Sequence, residues 1–403
     1  MTNFDIGIIG AGVAGAFASY KISKDYKNLK TVVFDLGRPP LKRRRQLEGW
    51  LGCLPNSDGK LYLSDLDKIS GLTNSKKSKS SFNYLNNILS NINNFKINKD
   101  KSLQVPLEKR LKKAGYEVTL NDYLQMYPKD IHSLSKYLAE TTEKNKNMQF
   151  VFDKDVKTVV KQKGMFVISC EGQEYKCKKL IVAVGRSGWR WCKTLYQSLG
   201  LIENNDFSKF GIRFEINSAL MKEFNKSNCT IKKDNDIEIG PLCWNGTVIP
   251  EDHFDLAISA FRSNENRWKT DKVSFSLIKN VSFPNNGFEQ TDRIGKLTFL
   301  LANDRIIKER TSYIMNGKSR ISVMKEYDWL KTAIQDLSNV FPEILSKGYF
   351  HVPTIIPMVP KINIGNNLET ELDGMFVAGE SSGIIGILSA ACTGLICVDS
   401  ICK

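Results

Sequence analysis

The stretch that most constrains this chain is its start, FDIGIIGAGVAGAFASYKISKDYKNLKTVVFD, residues 4–35. Residues 4–9, apolar but for Asp5 and with three β-branched isoleucines, read as a short buried strand of a parallel sheet. They run into Gly10-Ala11-Gly12-Val13-Ala14-Gly15, a G-x-G-x-x-G. The first glycine permits a tight turn, the second lets main-chain N–H groups approach a pyrophosphate, and the third lets a helix pack close to the strand. Residues 13–23 read as that helix, with its N-terminus facing the phosphates. A second strand, TVVFD at 31–35, ends in Asp35, where an acid accepts hydrogen bonds from an adenosine ribose. An isolated glycine triplet is common; strand, glycines, helix, strand and acid in this order are specific. The expectation is a Rossmann-type α/β domain holding a dinucleotide through Gly10, Gly12, Ala14, Gly15 and Asp35.

Two later stretches bear on which dinucleotide. Near the C-terminus, LDGMFVAGESSGIIGILSAACTGLICVDSI (372–401) gives a strand running into Gly379-Glu380. A turn with Gly383 and Gly386 follows, then an apolar helix from about Ile387. In the middle, YKCKKLIVAVGRSGWRW (175–191) gives an apolar strand ending at Gly185. Before it, MQFVF (148–152), VKTVV (156–160, from Val156), MFVISC (165–170) and QEYKC (173–177) read as a β-meander with turns near Gly164 and Gly172.

This combination resembles FAD-binding flavoproteins. The resemblance implies FAD as cofactor, with Val156 and Gly185 passing close to it, and with Gly379, Glu380, Gly383, Gly386 and Ile387 lining its flavin half. The helix from Ile387 would then aim its positive end at the flavin ring. A narrower likeness covers most of the chain. LKRRRQLEGWLGCLPNSDGKLYL (41–63), with Arg44 and Ser57-Asp58-Gly59-Lys60-Leu61, and GRSG (185–188) resemble a family of uncharacterised FAD-dependent, or NAD(FAD)-utilizing, dehydrogenases, a likeness that implies Arg44 at the cofactor. FGIRFE (210–215) and LCWNGTV (242–248) extend it. The chain departs from that pattern in the bulky LEGWLGCLPN, in the reduced Cys243-Trp244, and in HVPTIIPMVP (351–360), which stands where an Arg-Thr-Ser-Pro element is expected.

The expected architecture is therefore an α/β, Rossmann-type FAD-binding domain, a parallel sheet with β-meander, from residues 1–200 and 350–403. A Lys/Asn-rich helical insertion at 73–105 carries Phe82, Leu85, Ile88, Leu89, Ile92 and Phe95 at helical spacing. Residues 201–349 form the substrate, or cap, domain. Their alternating runs (DLAISAF, KVSFSLIKNVSF, KLTFLLA) predict an antiparallel sheet, with a helix at 326–341.

Flavin would carry the redox chemistry, the protein supplying orientation and charge. Lys60, Arg186 and Arg262 are the candidates for catalytic contact with flavin or substrate, with Ser187, Arg213 and Arg267 as further anion anchors. Cys53 has no cysteine within five residues, which disfavours a dithiol mechanism. Trp189 and Trp191 read as packing residues. The function expected is an FAD-dependent oxidoreductase acting on an undetermined small molecule, anionic ones included. Two alternatives stand beside it: a flavoenzyme modifying a nucleobase in tRNA or DNA, and a flavin-binding protein without turnover. With one complete glycine motif, NAD(P)H enters only as a transient reductant.

Bulk properties narrow the setting. Nine cysteines form no CxxC, and the three histidines lie far apart, which argues against a zinc set or a His-based triad. An odd cysteine count without a secretory signal reads as reduced thiols in a cytoplasmic compartment. No apolar run reaches the roughly 18 residues of a membrane span. The net charge of +15 is spread over clusters at 41–45, 76–79, 109–113 and 176–179. It leaves nucleic acid as an option that dispersal does not favour.

Overall fold

The computed structural model describes residues 2–402 other than 202, 205, 206, 235, 254, 255, 264, 285, 357 and 358. It is a mixed α/β protein with parallel and antiparallel sheets, and it divides into two compact units.

The first unit comprises residues 1–97, 124–204 and 358–403. Its elements in chain order are β1 (Thr2–Ile9), α1 (Val13–Asp25), β2 (Thr31–Asp35), α2 (Asp65–Leu72), α3 (Ser75–Ser90), α4 (Pro128–Glu143), β3 (Met148–Phe152), β4 (Val156–Gln162), β5 (Met165–Cys170), β6 (Gln173–Val182), α5 (Trp189–Ser198), β7 (Met375–Val377) and α6 (Ile387–Cys402). The parallel sheet runs β3-β2-β1-β6-β7. The strands are apolar on both faces because both are covered. Ile8, Val33, Ile181 and Phe376 pack with α1, α4 and α6 on one side. Val32, Phe34, Leu180, Val182 and Val377 pack with the β4–β5 hairpin and α5 on the other. Helix α1 is buried from Val13 to Ser23, which explains its small, apolar sequence without an outer polar face.

Two strand expectations change. MQFVF is β3, the outer parallel strand beside β2, not the first strand of the meander. QEYKC and the following LIV are one strand, β6. Its first half pairs antiparallel with β5 and its second half parallel with β7, so a single strand joins meander and parallel sheet. The predicted helix in 73–105 is α3. Asn74 caps it by accepting from Lys77 N–H at 2.9 Å, and Leu85, Ile88 and Leu89 are buried. Ile92 and Phe95 lie beyond its end.

The second unit comprises residues 98–123 and 205–357. An antiparallel sheet runs in the order 307–310, 349–356, 207–217, 272–282, 237–239, 230–233 and 117–119. Phe210, Ile212, Phe214 and Ile216 alternate onto one face. There they meet Leu107, Ile294, Leu330 and Ile334 from the helices Val105–Lys113, Gly287–Leu301 and Trp329–Val340. The last helix matches its expectation, but KLTFLLA does not form a strand. It is the end of Gly287–Leu301, where Thr291, Ile294, Gly295 and Thr298 form the buried stripe.

The units divide elsewhere than at 200 and 350. Residues 117–119 pair with 230–233, and 349–356 with 207–217, so both stretches belong to the sheet of the second unit. Of HVPTIIPMVP, residues 351–356 lie in that strand; Pro357 and Met358 lie outside the described residues, as does Asp255 of DLAISAF.

Candidate functional site: the carboxyl edge of the parallel sheet

Parallel strands bring their carboxyl ends to one edge, where ligands of such sheets bind. Here the ends are laced together. Gly10 N–H donates to Phe34 O at 2.8 Å, Ala183 N–H to Ile9 O at 2.8 Å, and Ala378 N–H to Val182 O at 2.9 Å. The three stretches singled out in the sequence, at 10–15, 185–188 and 379–387, therefore leave adjacent strands side by side.

The glycine turn has the form its sequence demands. A Cβ on Gly15 would lie 1.8 Å from Gly10 O, so only glycine allows α1 to start this close to β1. A Cβ on Gly12 would meet nothing nearer than Gly52 Cα at 3.8 Å, which leaves its backbone open to a ligand. Ala14 is buried in the first turn of α1.

Asp35 ends β2 and holds this turn in shape. Oδ2 accepts from Ala11 N–H at 2.6 Å, and Oδ1 accepts from Gly37 N–H at 2.7 Å and Gly49 N–H at 2.8 Å. Burial raises the pKa of its carboxyl, and the three main-chain donors work against that rise. A carboxylate offers about four acceptor positions, so three donors leave roughly one for a ribose hydroxyl. Asp35 is thus a clamp on the glycine turn and on the loop after β2.

The clamp reaches the loop after β2. Leu51 N–H donates to Ala11 O at 2.9 Å, which lays residues 49–52 beside the glycine turn. Inside that loop Arg43 donates to Trp50 O and to Gln46 O at 3.0 Å. Arg44, the arginine expected at the cofactor, is exposed; the loop is knotted around its neighbour. In a run of three arginines, sequence does not say which one turns inward.

At the end of β6, Gly185 starts a short turn into α5, and Arg186 reaches the C-terminal motif. Its Nε and Nη2 donate to Glu380 Oε1 at 3.1 and 2.8 Å. Ser381 Oγ donates to Val184 O at 2.7 Å, a second tie between the same two turns. Glu380 Oε2 is buried and has no hydrogen-bond partner. Gly379, with φ 64°, turns the chain from β7 towards this carboxylate.

The helix from Ile387 forms as expected, and it has a protein partner at its start. Its first turn is met by Asp65, the first residue of α2. Asp65 Oδ2 accepts from Ser389 N–H at 3.3 Å, and Oδ1 accepts from Lys68 Nζ at 2.7 Å. Lys68 also donates to Ile385 O at 3.2 Å. Gly386 has φ 148°, and a Cβ there would lie 1.9 Å from Asp65 Oδ2. A protein carboxylate therefore answers the positive end of α6, and Gly386 is glycine because of it. Gly383 has its Cβ direction against the Lys361 side chain at 3.4 Å. Nothing in SDLDKIS marks Asp65 for this role beyond the acidic first turn of a helix.

Other candidates are placed as follows. Lys60 is 9% exposed and pairs with Asp58 at 3.5 Å. Val156 is buried at the start of β4, and its carbonyl accepts from Trp191 Nε1 at 2.6 Å, which fits a packing role for that tryptophan. In the second unit, Arg213 Nε donates to Ser259 O at 3.3 Å. Arg262 is buried, 5.9 Å above the Trp268 ring, and Arg267 lies over the same ring at 5.0 Å. Sequence reasoning missed Glu215, which faces the side of the sheet opposite the apolar core. Lys272 and Lys308 donate to its Oε1 at 2.8 and 2.7 Å, and His351 Nε2 stands 3.8 Å from Oε2. Burial alone would raise the Glu215 carboxyl, but pairing with His351, Lys272 and Lys308 holds it well below the usual carboxylate range.

None of the nine cysteines is in a disulfide, and burial pushes the thiols of Cys177, Cys192, Cys229 and Cys392 up to about 12, away from nucleophilic use. The basic clusters are partly matched within the chain: Arg110 with Glu223 at 2.7 Å, Lys178 with Asp5 at 2.8 Å, Lys179 with Asp373 at 3.8 Å. Among the described residues no helix is long and apolar enough to cross a membrane, and no group of three or more His, Cys, Asp or Glu could hold a metal.

No protein-family model matches the chain, and no curated protein does. Solved structures similar to it include glycine oxidase from Geobacillus kaustophilus, at 13% identity and a TM-score of 0.46, covering 100% of this chain and 95% of that one. Another is dithionite-reduced L-alpha-glycerophosphate oxidase from Mycoplasma pneumoniae with FAD bound, at 11% identity and 0.48, covering 100% and 96%. A third is halogenase PltM, at 12% identity and 0.44, covering 98% and 67%.

Proposed function

We propose that the protein is an FAD-dependent oxidoreductase of Rossmann type, with the cofactor held along the carboxyl edge of β1, β2, β6 and β7. The observation that carries the reading is the meeting there of an open glycine turn, a clamped acid with acceptor capacity left, and a buried carboxylate oxygen without a donor. Backbone N–H groups at the start of α1 suit a pyrophosphate, Asp35 an adenosine hydroxyl, and Glu380 a hydroxyl of the flavin's sugar-alcohol chain. Bound flavin would accept or donate two electrons, the chemistry no side chain of this edge supplies. The second unit selects the substrate. Its buried Arg262 and half-buried Arg213 suit a carboxylate or phosphate. Lys60, buried beside Asp58, is a further contact for flavin or substrate in this reading.

The test is to purify the protein, release its chromophore by denaturation and separate it by chromatography. FAD is expected; FMN alone would exclude the adenosine assignments. Anaerobic titration with NADH, NADPH and a panel of amino, hydroxy and phosphorylated acids then finds the donor. Salt-dependent retention on tRNA or duplex DNA would favour nucleobase modification instead. A flavin that no donor reduces would favour binding without turnover.

A further inference from the structure

We propose that Arg186 is a positioning residue, which turns Glu380 so that one carboxylate oxygen is reserved for a hydroxyl of the bound cofactor. The inference rests on the FAD reading and concerns how this chain recognises the part of the cofactor that lies beyond the adenosine and phosphates.

The pairing is asymmetric. An arginine facing a carboxylate commonly forms two parallel bonds, one to each oxygen. Here both Nε and Nη2 converge on Oε1, at 3.1 and 2.8 Å. Oε2 is left buried without a partner, on a side chain only 15% exposed. Buried acceptors without donors are rare in native proteins because they lose water and gain nothing in return. Among the described residues few side-chain oxygens share this state, and Glu380 is the acid among them that stands at the edge where the three motifs meet.

The surroundings say what the missing donor is. A Cβ on exposed Gly185 would lie 3.9 Å from Oε2 and, its chain neighbours aside, would meet no other heavy atom within 4 Å, so the open space nearest to this buried oxygen lies on the Gly185 side. A phosphate would be repelled by this carboxylate, whereas a neutral hydroxyl can donate to it. The candidate with several such hydroxyls is the polyol between phosphate and flavin ring. Arg186 is thereby spent on Glu380 rather than on a substrate anion, which revises the catalytic contact expected from GRSG. The same two turns are also tied by Ser381 to Val184, so the carboxylate is held from both sides.

The test compares two ligands on the apoprotein: FAD, and ADP, which has the adenosine and both phosphates but no polyol. Arg186→Gln and Glu380→Gln should each weaken FAD by about 10- to 100-fold, the range for a hydrogen bond to a charged group, and leave ADP within about twofold of wild type. Arg186→Lys keeps the charge and should recover part of the loss. Thermal unfolding without ligand checks that each variant is folded. Variants that bind FAD as wild type does would overturn the inference and leave the FAD reading intact. Equal losses of FAD and ADP would also overturn it, by making the pair a general support of the strand ends. A wild-type protein that binds neither ligand would overturn the FAD reading and this inference with it.

Discussion

Asp65 and Gly386 offer the most direct test of the geometry around α6. Removing the Asp65 side chain takes away the acceptor of Ser389 N–H and the negative charge at the helix start. A lost N-terminal cap costs about 0.5–2 kcal/mol, and the 3.3 Å bond places this one in the lower half. The lost charge–dipole attraction adds about 0.5 kcal/mol. Lys68 is 48% exposed, so its ion pair adds little. Asp65→Ala should therefore destabilise the first unit by about 1.5 kcal/mol, and lower Tm by about 3–6 °C in a unit of this size. Asp65→Asn keeps an acceptor of similar shape and should lose about half as much. Gly386→Ala drives a Cβ to 1.9 Å from Oδ2 and 2.6 Å from Cγ. Overpacking of this kind costs about 1–3 kcal/mol. In Asp65→Ala the obstructing carboxylate is gone, so the double variant should lose less than the two singles together, by about 1–2 kcal/mol. Urea unfolding of the four apoproteins at pH 7 measures the cycle. Additivity within about 0.3 kcal/mol, or an Asp65→Ala protein as stable as wild type, would refute the contact. If flavin lies near this helix end, Asp65→Asn should also raise its reduction potential, because a negative charge that opposes added electrons has been removed.

Three further outcomes are expected. Asp35→Ala should destabilise the apoprotein by about 2–4 kcal/mol, since Ala11, Gly37 and Gly49 lose a charged acceptor; a variant impaired only in FAD binding would mean the clamp is incidental. In the second unit, burial lowers the pKa of His351, and pairing holds Glu215 low. Both groups bind more protons unfolded, so the stability they contribute is present at neutral pH. It declines first below about pH 6.5, as unfolded histidine protonates, and further below about pH 4.3. His351→Gln should flatten the first decline, and an unchanged profile of Tm between pH 7.5 and 5 would count against it. Arg262→Leu should lower turnover of an anionic substrate and leave the flavin absorbance of the holoprotein unchanged; loss of flavin would place Arg262 with the cofactor.

Much of the first unit was legible in the sequence because its determinants are local. Consecutive apolar residues at 6–9, 32–34 and 180–182 specify strands buried on both faces, and glycine spacing at 10–15 reports a turn that excludes side chains. Local pattern also separates the helix Trp329–Val340 from its neighbours. The same pattern misreads KLTFLLA, where consecutive leucines obscure the helical stripe that Ile294 and Thr298 make with the sheet. Periodicity tells that a residue is buried, not against what. Only the tertiary structure pairs residues 117–119 with 230–233, chooses Arg43 over Arg44, or brings Arg186 to Glu380 across 194 residues. It also brings the Asp65 carboxylate to the start of a helix 324 residues away, at a place that sequence reserves for a ligand. Side-chain charge is encoded at one position, but the partner that satisfies it is chosen by packing. The apolar runs and the glycines thus determined the edge where a cofactor can lie, and the long-range contacts decided which polar atoms at that edge are already satisfied and which still lack a donor.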